Sequence, residues 1–362
     1  MAVTKRSWEA QRRLILDSAR KVFRQQGKSP RTIKSYLGWI HRFLIFHRDR
    51  DPRQLGEAEL TEWLNHLVID RNVSASTQKQ ALCAMKALYG QVYQEEFPWL
   101  TDLIQPKRPK VLPTILNWGE LEALCGQLRG VFLVIFYVLF GSGLRLNECL
   151  NLRIKDVDLN HGLLYVRAGK GQKDRTVMLA KPAVELLSQQ LSRVYQQHQR
   201  DLAEGAGHVA LPYALARKYP NASKEWRFQW VFPATRTYRC AETGERRRHH
   251  LHDSTVQRRI KEAVRAAGIT KKCTAHSLRH SFALHLLDIE PDMRKLQGLM
   301  GHKDIRTTMI YARLRRDLRG GIPSPADRLG GGGDGWARGD WDGTAEVEGE
   351  GPGDVDSDDH EG

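Results

Sequence analysis

The chain has no long hydrophobic run, few cysteines and, over most of its length, a shortage of acidic residues. Its longest apolar stretch, Val131 to Phe140, is about half the ~20 residues needed to cross a bilayer. That excludes a spanning helix and reads as a buried one. Met1 to Arg20 is dense in charge (Lys5, Arg6, Glu9, Arg12, Arg13) and lacks the apolar centre of a secretory signal, so export is not expected. The five cysteines, Cys83, Cys125, Cys149, Cys240 and Cys273, are odd in number, far apart and form no CxxC pair. This argues against both a disulfide framework and a zinc knuckle. A reducing, cytoplasmic setting without a membrane partner is the expectation.

The acidic deficit is concentrated. The formal charge of the 362 residues is +15, yet Gly330 to Gly362 holds 11 acidic residues against one basic one, Arg338, a charge of −10. The first 329 residues therefore carry +25. A body that basic expects a polyanion, and nucleic acid is the first candidate. Hydrophobic residues make up 41% and aromatics 8%, which excludes a wholly disordered or collagen-like chain. The length fits two or three domains at ~150 residues each.

Residues 1–104 read as a helical domain. Leu14, Ile15, Ala19, Val22 and Phe23 share one helical face. A second helix starts after Pro30 and carries Ile33, Leu37, Ile40, Phe43 and Leu44, and two more run roughly from Glu57 to Asp70 and from Ser74 to Gln94. Their other faces are rich in Arg, Lys and Gln, which by itself is the mark of an ordinary solvated surface. The run QPKRPKVLP lies in a linker at 105–114. Proline stiffens it, and Lys107 and Arg108 would let it lie along a phosphate backbone.

The second domain, 115–329, opens with helices at Trp118 to Leu128 and Val131 to Phe140 and a Gly-rich corner. A hairpin follows, with Leu163 to Arg167 and Thr176 to Leu179 flanking the turn AGKGQKDR, and then helices from Pro182 to about Leu202. Residues 203–252 look irregular, with Trp226, Phe228, Trp230 and Phe232 alternating ahead of the basic cluster ERRRHHLH. Helical periodicity resumes at Ser254 and continues to about Leu318, and 330–362, with 11 of the 31 glycines, reads as a disordered, solvated acidic tail. The fold class is thus mainly α with a small β component. The tail reads as a solubilising appendage; its rival role is to compete with nucleic acid for the basic body.

Chemistry gathers in the second domain. HSLRH places His276 and Arg279 three apart on a helix, so both can face one ligand. GHKDIRTTMIY offers His302 behind a Gly turn and Tyr311 nine residues on, while Arg145 stands where the Gly-rich corner enters a helix, with Glu148 one turn later. Arginine forks orient non-bridging phosphate oxygens, histidine moves protons near neutral pH and a phenol can attack phosphorus, so the set suits phosphate chemistry without a metal. By spacing alone each histidine is more readily structural than catalytic. HHxH at His249, His250 and His252 would splay its side chains to opposite faces of a strand, with no cysteine or carboxylate to complete a metal site.

The order GLRLNE (Gly143 to Glu148), GKGQKDR (Gly169 to Arg175), HSLRH (His276 to His280), LMGH (Leu299 to His302) and TTMIY (Thr307 to Tyr311) closely resembles the tyrosine recombinases. The match covers the catalytic domain and, more loosely, the helical domain, which corresponds to the family's DNA-clamping, core-binding domain. The segment with ALPYALARKYPNASKEWRFQWVFP and RRRHHLHDSTVQR resembles the insert of integron integrases within that family.

The resemblance implies a mixed α/β catalytic domain and a site-specific DNA recombinase, working without cofactor or metal through a 3′-phosphotyrosyl intermediate. It implies Arg145 and Arg279 as a phosphate clamp, His276 and His302 as hydrogen-bonding and proton-transfer groups, and Tyr311 as nucleophile. Lys170 is implied as the acid for the departing 5′ hydroxyl and Glu148 as the brace of the first arginine. Lys173 and Arg175 share the turn with Lys170 and are alternative DNA contacts, whereas His280 reads as packing or capping. The integron likeness implies that Trp226, Trp230, His249 and His250 contact DNA in which bases are flipped out of a folded single-stranded hairpin. Taken alone, the aromatic alternation is the core face of a strand. A homotetramer on duplex and hairpin sites, in a bacterial cytoplasm at the nucleoid, completes the expectation. The alternatives are a phage- or chromosome-type recombinase acting on duplex sites only, or an impaired DNA-binding relative, since ARLRRD after Tyr311 and LLDIEPDMRKLQ after His285 depart from the family pattern.

Overall fold

The computed structural model describes residues 5–48, 50–94, 112–167, 174–211 and 215–319. Most of the expected linker, with Lys107 and Arg108, lies outside the described residues. So do the turn that carries Lys170 and Lys173 and the acidic tail. The chain divides into two compact units, Met1–Leu112 and Pro113–Gly362.

The first unit is helical: α1 (Lys5–Gln25), α2 (Pro30–Phe46), α3 (Glu57–Ile69) and α4 (Ala75–Ala87), the last running into a π-helical turn at Leu88–Tyr93. Ser29 starts α2 by accepting from Thr32 N at 3.1 Å, with Pro30 at the first helical position, where a missing N–H costs nothing. Ser74 does the same for α4. The apolar stripes meet in a core around Phe23, Ile40, Phe43, Trp63 and Tyr89, with Phe43 and Trp63 edge to face at 5.1 Å.

The second unit is built around α6 (Val131–Ser142), which is apolar on every side and so has no face to give to water. It follows α5 (Trp118–Gln127) and precedes the short α7 (Leu146–Leu150). Three strands, β1 (Val157–Asp158), β2 (Leu163–Val166) and β3 (Arg175–Met178), form an antiparallel sheet in which Leu164 pairs with Val177 and Val166 with Arg175. Leu164, Val166 and Val177 point into the core, as the period of two requires. Beyond α8 (Lys181–Ala203) and the short α9 (Leu215–Lys218), the chain forms a hairpin of β4 (Pro233–Arg239) and β5 (Arg246–His250). It then returns through α10 (Asp253–Ala266), α11 (Ala275–Ile289), α12 (Met293–Met300) and α13 (Ile305–Arg319). Helices α8 and α11 pack on α6, and α11, α12 and α13 pack on one another.

The 203–252 segment differs from its irregular reading in two ways. The hairpin β4–β5 is ordered, and Trp226–Phe228 is a 3₁₀ turn, not part of a strand. These strands carry arginine where a strand signal needs alternating apolar residues, so hydrophobic periodicity does not report them. What pins the hairpin is Arg248. It reaches both Asp201 oxygens of α8 at 2.6 Å and the carbonyls of Ala234 and Thr235 at 2.7 Å. With Asp201 only 5% exposed, the pair is a buried charge network in which removing one partner strands the other. Asp201→Ala is expected to lower the unfolding free energy by about 3–5 kcal/mol, measured by urea denaturation. A loss below about 1 kcal/mol, the size of a surface pair, would contradict this account.

Candidate active site

Helix α6 ends at Gly143, whose φ of +63° and crowding by the Phe282 ring admit no side chain. The turn delivers Arg145 to the N-cap of α7, and Glu148, one turn on, reaches back to the Arg145 backbone N–H at 2.9 Å. The same carboxylate gathers guanidinium groups from three elements. Arg145 Nη1 donates to Oε1 at 2.7 Å, and Arg175 of β3 donates through Nη2 to Oε2 at 2.7 Å and through Nη1 to Oε1 at 3.1 Å. Arg279 of α11 stands 3.7 Å from Oε2. Burial alone would push Glu148 upward, but the Arg175 and Arg145 contacts outweigh it and hold the carboxyl at about 2.

The arginines are not equivalent. Arg279 is buried and donates to the carbonyls of Gly143 and Met300. Burial, with Arg145 close by, lowers it to about 10, so it still carries its charge near pH 7. Arg145 keeps 32% of its side chain exposed, against 11% for Arg175 and 4% for Arg279, and is the most accessible guanidinium of the three. Arg175, expected as a DNA contact, is turned inward on Glu148 and on the Leu299 carbonyl at 2.8 Å. It is therefore corrected to a brace between β3 and the loop after α12, where Gly301, with φ +58°, leaves room for its guanidinium.

Around this cluster stand the histidines and the tyrosine. Thr274 caps α11, which sets His276 in its first turn at the exposed rim, kept below its ordinary pKa by partial desolvation and by Arg279 and Arg145. His302 follows Gly301. Arg279 Nη2 faces its Nε2 at 3.3 Å and Thr308 Oγ1 lies 2.9 Å from its Nδ1. Arginine can only donate, so Nε2 accepts and Nδ1–H points at Thr308. Burial, then Arg279 and its neighbours, lower His302 to about 4.

Tyr311, on α13, is 2% exposed, with its ring parallel to that of His302 at 6.5 Å. Burial pushes its phenol up to about 12 against the pull of Arg279 and Arg145. Its hydroxyl lies 2.7 Å from Nδ1 of His280, a residue the sequence reading set aside. The signal was present: His280 lies four residues after His276, on the same face of a helix.

The expected base-binding residues do not join this cluster. Trp230 is buried, donates Nε1–H to the Arg248 carbonyl at 3.2 Å and has the Arg153 guanidinium 3.9 Å from its ring centre. It is corrected from a stacking platform to a core residue. Trp226 is half-buried, edge-on to Tyr195 at 5.1 Å. His249 is exposed on β5 and His250, half-buried, lies beside it with ring centres 4.0 Å apart.

Residues 120–317 match the phage integrase family, and residues 15–99 match the phage integrase N-terminal SAM-like domain. The chain belongs to the phage integrase family. It is a tyrosine recombinase, a member of a class of enzymes that cleave and rejoin DNA strands. This recombinase is 42% identical over 315 residues to an integrase/recombinase of Escherichia coli, covering 87% of this chain and 94% of that one. It is 31% identical over 294 residues to the tyrosine recombinase XerA of Thermococcus kodakarensis, covering 80% and 86%. Its fold is similar to that of lambda integrase solved as a dimer on a core site (TM-score 0.56, 17% identity, covering 82% of this chain and 96% of that one). It is also similar to that of the XerH recombinase on a palindromic difH substrate (TM-score 0.51, 24% identity, covering 79% and 77%). The fold is the mostly helical one expected, an N-terminal SAM-like domain followed by a tyrosine recombinase catalytic fold.

The Glu148 cluster makes a pH prediction for the recombinase. A carboxyl held at about 2 when folded and near 4.3 when unfolded stabilises the protein above about pH 4.3, and that stabilisation is lost as pH falls toward 2. It amounts to roughly 3 kcal/mol. Unfolding free energies measured from pH 5 downward should therefore fall more steeply in the wild type than in Glu148→Gln. Parallel profiles would contradict the assignment.

Proposed function

We propose that this chain is an integron-type site-specific recombinase that integrates and excises DNA segments at duplex sites and at folded single-stranded hairpins. The observation that carries its catalytic part is the convergence on Glu148 of Arg145, Arg175 and Arg279, with His276, His302 and Tyr311 around them. One carboxylate among three guanidinium groups leaves a local excess of positive charge, which is what a phosphodiester needs.

In this reading Arg145 and Arg279 take the non-bridging oxygens of the scissile phosphate. Charge grows on those oxygens as the phenol attacks, so fixed donors stabilise the transition state more than the ground state. The Tyr311 oxygen forms a bond to phosphorus, the bond to the 5′ oxygen breaks, and Lys170 protonates that oxygen. His276 and His302 supply hydrogen bonds at the phosphate. The energy of the broken linkage is kept as a phosphotyrosyl bond, so a second 5′ hydroxyl can reverse the step without ATP, and the residues named need no metal. A body of +25 charge suits DNA wrapping, with binding that weakens steeply as salt rises. Four protomers on two sites complete the reaction.

The integron part of the reading is supported by the arginine-rich hairpin β4–β5, with exposed Arg239, Arg246 and His249, and by half-buried Trp226 nearby in the chain. A second reading, a chromosome-type recombinase confined to duplex sites, is favoured by the likeness to XerA. One assay series separates them. Incubated with a nicked suicide substrate in EDTA, the protein is expected to form a covalent adduct that Tyr311→Phe abolishes; no adduct with intact protein would overturn the catalytic reading. Trp226→Ala is expected to weaken hairpin binding by about 5- to 150-fold, the equivalent of ~1–3 kcal/mol of stacking per base, with duplex binding little changed. Equal losses on both substrates would favour the duplex-only enzyme.

A further inference from the structure

We propose that His280 takes the phenolic proton of Tyr311 as the bond to phosphorus forms, and returns it when the strand is rejoined. The proposal rests on Tyr311 being the nucleophile, and it names the group that makes a buried phenol reactive.

The geometry is direct. A general base must lie within about 2.6–3.2 Å of the proton it removes, and Nδ1 of His280 lies 2.7 Å from the Tyr311 oxygen. His276 stands at the exposed rim, its ring centre 6.2 Å from that of His280, and three further sets of groups are engaged elsewhere. His302 stacks beside the ring with Nε2 facing Arg279 and Nδ1 facing Thr308. Glu148 has both oxygens on Arg145 and Arg175. Arg279 and Arg145 stabilise a phenolate but cannot accept a proton.

Proton and electrons balance within the site. As the Tyr311 oxygen bonds to phosphorus, its proton passes to Nδ1 of His280, and the 5′ oxygen leaves with the proton that Lys170 supplies in the proposed reaction. When a 5′ hydroxyl attacks the phosphotyrosyl bond it returns its proton to Lys170, and the tyrosine oxygen departs and recovers the proton held by His280. One imidazole thus acts as base in cleavage and as acid in rejoining, as reversibility demands. The resting site suits this cycle, because burial, then His276 and Arg279, keep His280 at about 4 and so neutral near pH 7. A phosphate diester bound between Arg145 and Arg279 offsets part of their charge and raises the basicity of His280 at the moment it is needed.

The test uses the full chain in single-turnover adduct formation, with two suicide substrates that differ only in whether the bridging 5′ atom is oxygen or sulfur. A thiolate leaves without protonation, so sulfur bypasses the leaving-group acid but not the base on the nucleophile. His280→Ala and His280→Asn are expected to slow the reaction about 100-fold on both substrates, with duplex binding unchanged as the check that each variant folds. Asparagine can hold the phenol but cannot carry its proton. Fluorinated tyrosine at position 311, a more acidic phenol, should recover at least tenfold of the rate lost in either variant. Wild-type rates in His280→Asn, or recovery on the sulfur substrate alone, would overturn the proposal. Absence of any adduct with the wild type would instead overturn the nucleophile itself.

Discussion

One carboxylate organises this catalytic domain. Glu148 accepts from the backbone and side chain of Arg145, draws in Arg175 from the strand β3 and stands beside Arg279 of α11. Three cations brought this close repel one another, and a single buried anion makes the arrangement affordable. The elements that deliver them are fixed by backbone constraints. Gly143 turns the chain out of α6, and Gly301 turns it out of α12 with no side chain to displace Arg175. The carbonyls of Gly143 and Met300 accept from Arg279, and that of Leu299 accepts from Arg175. The arginines are thus oriented before any ligand arrives, which is the condition for stabilising developing charge without reorganisation.

Tyr311 sits against the same cluster in an opposed balance. Burial holds its proton tightly while the arginines favour its loss. Leu314, one turn on, is buried with Phe282 and Leu287 of α11, so the departure of ARLRRD from the family pattern does not prevent α13 from docking on its own domain. A phenol kept neutral, nearly inaccessible to solvent and hydrogen-bonded to an imidazole is stored rather than exposed.

Much of this was legible in the sequence because it is local. The apolar run at Val131 to Phe140, the serine caps of α2 and α4 and the alternation of Leu164 and Val166 each report a neighbour a few residues away. GLRLNE encodes the Arg145–Glu148 contact within a single helical turn. What was not legible needs tertiary structure. Nothing within the 27-residue gap between Arg175 and Glu148 tells a surface arginine from a brace. The strands β4 and β5 hide behind arginine-rich composition, since the inward residue is Arg248, paired with Asp201 across 47 positions. For Trp230 the sequence leaves two readings, a core residue or a base contact, and its burial with the Arg153 guanidinium on its ring favours the first. His280 lay within a motif already singled out, and only the return of α13 onto α11 gives it a partner.

The central claim is that the charge cluster around Glu148 exists to present a phosphodiester to Tyr311. Its most direct test is mass spectrometry of the proteolysed covalent complex formed on a suicide substrate. The account predicts a nucleotide mass on the peptide containing Tyr311, attached through the tyrosine oxygen to a 3′ phosphate. Attachment at any other residue, or through a 5′ phosphate, would contradict it.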